Sequence, residues 1–157
     1  MRRAGLILAV VFLATAPVLA TTLLWMDVQD LTRNSTSIVM GRVEAQTVLS
    51  SGPGVPLTQV LVKIDRSLKG GLEGAVLVNN PGFDGAPVFK EGEEVVLFLF
   101  TQGGTHVLTG FPQGSFKIVT DELGRKVLDR ALPSKNRSIA TIRSVDTLIS
   151  EIKAAME

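Results

Sequence analysis

The chain has 157 residues, of which 45% are hydrophobic and 20% are charged, and its formal net charge at pH 7 is +1. This length suits one domain with a single core. The chain has no cysteine and one histidine, His106, which excludes disulfides, a thiol nucleophile and cysteine-ligated zinc or iron–sulfur sites. The near-zero charge argues against a dedicated nucleic-acid binder, and no nucleic-acid partner is expected.

The first twenty residues have the three regions of an export signal. A basic Arg2-Arg3 start precedes an almost wholly apolar stretch over 4–16, and Val18-Leu19-Ala20 forms a small-residue cleavage site. The apolar run is shorter than the roughly 20 residues that a stable membrane anchor needs. We therefore predict that 1–20 is a signal peptide cut between Ala20 and Thr21. The mature protein is then secreted or periplasmic.

A helix and two long strands are predicted at the start of the mature chain. Asp27 can cap a helix over 27–33, in which the apolar side chains share one face. Residues 38–48 are rich in β-branched side chains, which favours a strand. Residues 57–66 alternate between apolar and polar, as a strand with one buried face does.

The predicted centre of the core follows a short strand and a loop. A strand is predicted over 75–79, and residues 83–91 contain the turn formers of an exposed loop. Residues 95–100 are six consecutive large apolar side chains. Such a run is typical of a strand covered on both faces.

Hairpins and a helix are predicted for the rest of the chain. Strands over 106–109, 115–120 and 126–129 have hairpin spacing, which predicts a β-meander. Residues 130–143 contain four cations and no acid, and are predicted to be an extended connection. Ser144 can cap a final helix whose apolar stripe packs on the barrel. That stripe consists of Val145, Leu148, Ile149, Ile152 and Met156.

This order of elements predicts a mainly β fold. Five or more strands with a short N-terminal helix and a C-terminal amphipathic helix are typical of an OB-like Greek-key barrel. The predicted organisation is a signal peptide over 1–20, a barrel domain over 21–130, and a basic connection with the terminal helix over 131–157.

The residues do not predict catalysis. His106 is alone, no Gly-x-Ser-x-Gly motif is present, and a single histidine beside a turn is usually half-packed. An acidic run precedes the central strand and contains Glu91, Glu93 and Glu94. Such a run is expected to be a solvated turn that protects the following apolar strand from aggregation. No phosphate-binding glycine motif is present. We predict no catalytic, metal-binding or cofactor-binding residues, and no enzyme.

Four segments occur in an order that resembles a family of small exported bacterial proteins of uncharacterised function. The segments are Ser37-Ile38-Val39-Met40-Gly41-Arg42-Val43, Ser67-Leu68-Lys69-Gly70, residues 89–99 and Gly110-Phe111-Pro112-Gln113-Gly114-Ser115-Phe116. The outline is also similar to the N-terminal barrel of tissue inhibitors of metalloproteinases (TIMPs) and netrin-like modules. In TIMPs, an N-terminal cysteine followed by threonine approaches the protease zinc. That resemblance would assign partner binding to Thr21 and Thr22, although the cysteine is missing here.

The expected function is that of an exported, monomeric binding module without enzymatic activity, which recognises a protein or cell-envelope partner through its barrel loops. Loops are favoured as the binding surface because their sequences can vary while the barrel that carries them stays rigid. Two alternatives stay open. One is a TIMP-like inhibitor of a secreted protease that acts through the mature N-terminus, and the other is an OB-fold that binds a saccharide or nucleic acid.

Overall fold

The fold is mainly β, with a sheet and two helices. The computed structural model describes residues 24–50, 54–83, 85–130 and 143–157. The strands are β1 (Ser37–Ser50), β2 (Leu57–Lys69), β3 (Ala75–Pro81), β4 (Glu94–Gln102), β5 (Thr105–Leu108), β6 (Ser115–Thr120), β7 (Lys126–Arg130) and the two-residue β8 (Arg143–Ser144). The helices are α1 (Val28–Asn34) and α2 (Val145–Met156), and a 3-10 turn covers Phe111–Gly114. The predicted connection over 131–142 lies outside the described residues.

Both helices begin where the sequence predicts. The Asp27 carboxylate accepts a hydrogen bond from the backbone N–H of Asp30 at 2.8 Å. The Ser144 hydroxyl accepts one from the backbone N–H of Thr147 at 3.2 Å. Each bond satisfies an amide that has no partner within its helix, which explains why each helix begins at that residue.

The strand pairing differs from the predicted meander. The adjacent pairs β1–β2, β2–β3, β4–β5 and β6–β7 are antiparallel. However, β4 also pairs with β1 and with β6, and β3 pairs with β5 in parallel. The chain between β5 and β6 explains the departure. Gly110 and Phe111 have positive φ angles of 63° and 56°, so the chain reverses and β6 pairs with β4 rather than with β5.

The two faces of β4 belong to two hydrophobic cores, which confirms that this strand is covered on both sides. The first core contains Val95, Leu97 and Leu99 of β4. It is completed by side chains of the strands β1, β2, β3 and β5 and of the loop before β4: Val39, Val43, Val60, Val62, Val76, Val78, Leu108 and Phe89.

The second core lies on the opposite face of β4, around Val96 and Phe98. There the two helices pack against β1, β4, β6 and β7. Its other buried members are Val28, Leu31, Ile38, Phe116, Leu128, Leu148 and Ile152. Phe98 and Phe116 are in ring contact, with centroids 5.6 Å apart.

Two details correct the sequence analysis. Residues 83–91 are not wholly a surface loop, because Pro87 and Phe89 are buried and Phe89 belongs to the first core. The stripe of α2 is buried at Leu148, Ile149 and Ile152, but Met156 is exposed. Helix α2 therefore packs on the second core from Val145 to Ile152, about two turns, and its end projects beyond that core.

Candidate functional site

The sequence-predicted partner residues Thr21 and Thr22, and the cleavage residue Ala20, lie outside the described residues. The chain that follows them is described from Leu24 onward. The side chains of Gln113 and Arg130 hold that segment.

Residues 24–26 are bound by the side chain of Gln113. Its amide nitrogen Nε2 donates to the Leu24 carbonyl at 2.8 Å, and its oxygen Oε1 accepts from the Met26 backbone N–H at 2.8 Å. Gln113 lies in the 3-10 turn and is only 1% exposed. The amide thus satisfies the backbone of this segment as a neighbouring strand would, and it does so from a buried, fixed position.

Arg130 adds a second attachment for the same segment. Its Nη2 donates to the Met26 carbonyl at 2.7 Å, and its Nε donates to the Gln113 carbonyl at 3.0 Å. Its guanidinium carbon lies 4.6 Å from the centroid of the Trp25 ring and 5.0 Å from that of Phe116. The guanidinium is therefore stacked against two aromatic rings while its N–H groups donate to carbonyls. These contacts attach Trp25 to the sheet through Phe116.

A group of apolar residues, four of them exposed, comes from this segment and from three loops. We call it the apolar loop cluster, and it consists of Leu24, Trp25, Val55, Phe83 and Phe111. The rings of Phe83 and Phe111 meet edge to face, with centroids 5.7 Å apart. Phe83 is nevertheless 51% exposed, and Leu24, Trp25 and Val55 are also exposed. Large apolar side chains that touch each other at a surface are typical of interaction sites.

Backbone contacts connect the loops of the apolar loop cluster. The Gly82 N–H donates to the Pro56 carbonyl at 2.7 Å, which joins the chain before β2 to the chain after β3. The buried Asn80 donates from Nδ2 to the Pro87 carbonyl at 2.9 Å and so fastens the loop that follows β3. At Gly110, a Cβ would lie 2.7 Å from the Met26 sulfur, so this glycine permits the close approach of the N-terminal segment.

Phe111 has a strained backbone. It is the one non-glycine residue in the described ranges with a positive φ, at 56°. A bulky aromatic residue adopts that conformation at a cost of about 1–3 kcal/mol, and such residues concentrate at functional sites. Here the strained turn both directs the Phe111 ring toward Phe83 and places Gln113 under the N-terminal segment.

His106 is half-buried at the end of the β4–β5 hairpin, as expected for a half-packed side chain. Its Nδ1 is 3.0 Å from the Thr101 hydroxyl, which is 2.9 Å from the Thr36 hydroxyl. No carboxylate of the described residues pairs with the imidazole. The contacts cross-link three strand ends rather than assembling a nucleophile with its base.

Glu93 and Glu94, at the start of β4, form ion pairs. Glu93 bridges to Lys117 at 2.9 Å, and Glu94 contacts both Arg42 at 3.0 Å and Lys126 at 2.6 Å. The hydrogen bond from Lys126 lowers the pKa of Glu94 against the opposing effect of burial, and the charges of Lys126 and Arg42 add smaller lowering effects. A general acid needs a raised pKa, so this arrangement is opposite to that of a glycosidase acid. In the parts of the chain that the structure describes, no group of three His, Cys, Asp or Glu side chains could hold a metal ion.

The sequence does not predict that Gln113, Arg130 or Phe111 are site residues. The one available sign was the run Gly110-Phe111-Pro112-Gln113-Gly114, whose turn formers indicate an irregular backbone. That Gln113 would be buried, and that Arg130 would contact a segment 104 residues away, depends on the tertiary fold.

No protein-family model matches the chain, and no curated protein matches it. Over the described ranges, the structure contains no helix with the length and apolar character needed to cross a bilayer.

Proposed function

We propose that the protein is an exported binding module without enzymatic activity, which recognises a protein partner through the apolar loop cluster. The observation that carries this proposal is the edge-to-face contact of Phe83 and Phe111 at an exposed position. Aromatic side chains that are fixed in place before binding lose little conformational entropy when a partner covers them. Such residues are the ones that contribute most to protein–protein binding.

An OB-like Greek-key barrel is the scaffold that we infer for these loops. The pairings β1–β2, β2–β3, β3–β5, β5–β4 and β4–β1 form a series that returns to its first strand. The side chains of the first core all come from these five strands and the loop before β4. A closed series of pairings leaves no unprotected edge among these strands, which supports a barrel.

A protein fits the cluster better than a nucleic acid does. All five residues of the cluster are uncharged, and the cation that contacts one of them, Arg130, is stacked on Trp25 and bound to carbonyls. A nucleic-acid site requires cations that reach phosphates. An apolar cluster instead requires apolar side chains from its partner.

The test is site-specific photo-cross-linking in the cells that make the protein. A photoreactive amino acid replaces Phe83 in one variant and, as a control, replaces Leu123 in the β6–β7 turn. Leu123 is 75% exposed and lies outside the cluster. We expect a discrete protein adduct from position 83 that is absent from position 123, identified by mass spectrometry. No adduct at 83, or the same adducts at both positions, would overturn the proposal.

A matched pair of variants then measures the energy of the contact. Phe83→Ala removes an exposed ring, so the fold is retained, and capture of the identified partner should fall at least about tenfold, as for a residue that contributes more than about 1.4 kcal/mol. Leu123→Ala should leave capture unchanged. Equal capture by both variants would contradict a role for the cluster.

Export is the second part of the proposal. The basic start, apolar run and small-residue site over 1–20 support cleavage that gives Thr21 as the first residue. N-terminal sequencing of protein from the culture medium and from the envelope tests this. An intact Met1 on the protein from both fractions would contradict it.

Inhibition of a zinc protease is a second candidate, supported by one observation. Gln113 and Arg130 bind the backbone of 24–26, so the segment just after Thr21 and Thr22 is attached to the protein without a disulfide. The test is to titrate protein that begins at Thr21 against a panel of zinc endopeptidases. The control carries one extra residue before Thr21, which blocks approach of the terminal amine. Sub-micromolar inhibition that the extension abolishes would favour this candidate, and no inhibition by either form would exclude it for that panel.

A further inference from the structure

A second surface, with two exposed and four half-buried residues, lies on the outer side of β2, β3, β5 and β4. We call it the bare face, and it consists of Gln59, Leu61, Leu77, Asn79, Val107 and Phe100. We propose that a second copy of this chain binds to the bare face, so that the protein forms a weak two-fold dimer. This dimer would replace the monomer expected from the sequence.

The strand register places these six residues side by side. Leu61 is opposite Leu77, and Gln59 is opposite Asn79. Val107 neighbours both Asn79 and Phe100. The intervening residues of the same strands belong to the first core, so the six side chains point the other way.

No helix of the described chain covers the bare face. Along β4, the outward residues Val96 and Phe98 are buried in the second core under α1 and α2, and that cover ends before Phe100. Phe100 is exposed, and Leu77 is 47% exposed. The face therefore continues the outer surface of the sheet beyond the point at which the helices end.

The composition of the bare face favours a copy of itself as its occupant. None of its six residues is charged, although 20% of the chain is. Burying an unpaired charge is a large penalty in forming an interface, and like charges that meet across a two-fold axis add to it. These six residues meet their own copy without either penalty, and the exposed Lys63, the next outward residue of β2, lies at the margin of the face.

The amide pair at the centre of the bare face is self-complementary. Gln59 Nε2 donates to Asn79 Oδ1 at 3.2 Å. This leaves Gln59 Oε1 as an acceptor and Asn79 Nδ2 as a donor, and neither has a hydrogen-bond partner among the described residues. In a two-fold arrangement, residue i of one copy meets residue j of the other and the reverse, so the donor of each copy can bind the acceptor of the other.

The size of the face predicts low affinity. Four strands at a spacing of about 4.8 Å give a footprint on the order of 20 Å across, which is at the small end for specific interfaces. Thr47, Pro81 and Thr105 extend it with further uncharged side chains. We therefore expect a weak, transient association, with a dissociation constant on the order of 1 µM to 1 mM.

Sedimentation equilibrium of the purified protein, in its natural N-terminal form and over about 10 µM to 1 mM, measures this association. Leu77→Lys introduces two like charges near the two-fold axis and should raise the dissociation constant at least tenfold. Leu123→Lys changes the net charge equally at an exposed site elsewhere and should leave it unchanged. Both positions are exposed, so both variants fold, which circular dichroism verifies. A monomer at every concentration, or equal effects of the two variants, would overturn the proposal.

Cross-linking locates the contact. Because the chain has no cysteine, a single introduced one can form a disulfide only with a second copy. Leu77→Cys lies near the two-fold axis and leaves the amide pair intact, so it should give a disulfide-linked dimer under mild oxidation, whereas Leu123→Cys should give at least fivefold less. Equal cross-linking at the two positions would show that the bare face is not the interface. Phe83 is not part of this face, so loss of partner capture by Phe83→Ala and loss of dimers by Leu77→Lys are separate outcomes.

Discussion

The first and second cores share the strand β4 but are assembled from different parts of the chain. The first core joins β1, β2 and β3, which follow one another in sequence, to β4 and β5, and most of its side chains are valine. The second core joins α1 near the start of the described chain to β6, β7 and α2 at its end, and it contains larger side chains such as Phe98 and Phe116. One core is built mainly by neighbouring hairpins and the other by distant segments.

The two cores support different surfaces of the protein. Met26 packs against the second core, and Arg130 is stacked on Phe116, a member of that core. The N-terminal segment of the apolar loop cluster is thus supported by the second core. The bare face, by contrast, is the outer side of strands that form the first core. Each proposed surface depends on a different part of the interior.

Truncations on the two faces of β4 should have the largest effects on stability. Leu97 and Phe98 are both 0% exposed, and they belong to the first and second cores respectively. Leu97→Ala should lower the free energy of unfolding by about 2–5 kcal/mol, and Phe98→Ala by about 3–5 kcal/mol, because each leaves a cavity. Denaturant unfolding measures both.

Lys90→Ala and Glu91→Ala are the matched controls, because both side chains are exposed in the turn before β4. Each should change the free energy of unfolding by less than about 0.5 kcal/mol. If Phe98→Ala changed the free energy of unfolding as little as these controls do, the second core would not contribute to the stability of the sheet. That result would contradict the assignment of two cores to the two faces of β4.

Removal of the Gln113 side chain should have a smaller and more local effect. Gln113→Ala deletes two hydrogen bonds to 24–26, each worth about 0.5–1.5 kcal/mol. We expect amide hydrogen exchange at Met26 to accelerate by tenfold or more, since opening of the segment becomes easier by about 1–3 kcal/mol. Gln102→Ala, at an exposed position in β4, is the control and should leave that exchange rate unchanged.

The strands and helices could be predicted from the sequence because their signals are local. The alternation in β2 and the apolar run in β4 locate both strands to within a few residues, and Asp27 and Ser144 locate the helix starts. The strand order could not be predicted, because pairing of β4 with β1 and β6 joins segments that share no local signal.

The candidate site was less predictable for the same reason. Gln113 is a polar residue between proline and glycine, a context that normally indicates a solvated turn, yet it is buried. Its burial follows from its two hydrogen bonds to a segment 87 and 89 residues away. Phe89 was also mispredicted: it lies in a segment that the sequence indicates is a loop, yet it is buried in the first core.

The smallest expected effect concerns the ion pairs of Glu94 on the surface near β4. The Lys126 hydrogen bond, with the Lys126 and Arg42 charges, lowers the pKa of Glu94 in the folded protein from its ordinary value of 4.5. A group with a lowered folded-state pKa stabilises the fold above its unfolded pKa, and this contribution is lost as the pH falls through the folded value. Glu94→Gln should therefore lower stability near neutral pH by no more than about 1 kcal/mol, as for an exposed pair. The difference from wild type should shrink below pH 4.5.

Denaturant midpoints between neutral pH and the acid range measure this difference, and Glu91→Gln is the matched control. Glu91 is exposed and has no ion pair among the described residues, so its replacement should give no difference at any pH. Wild type and Glu94→Gln should both keep the acid sensitivity that comes from Asp121, whose pKa is lowered by the backbone hydrogen bond from Arg125. A Glu94→Gln difference that stays constant from neutral to acid pH would mean that the lost contribution is packing of the side chain rather than its charge.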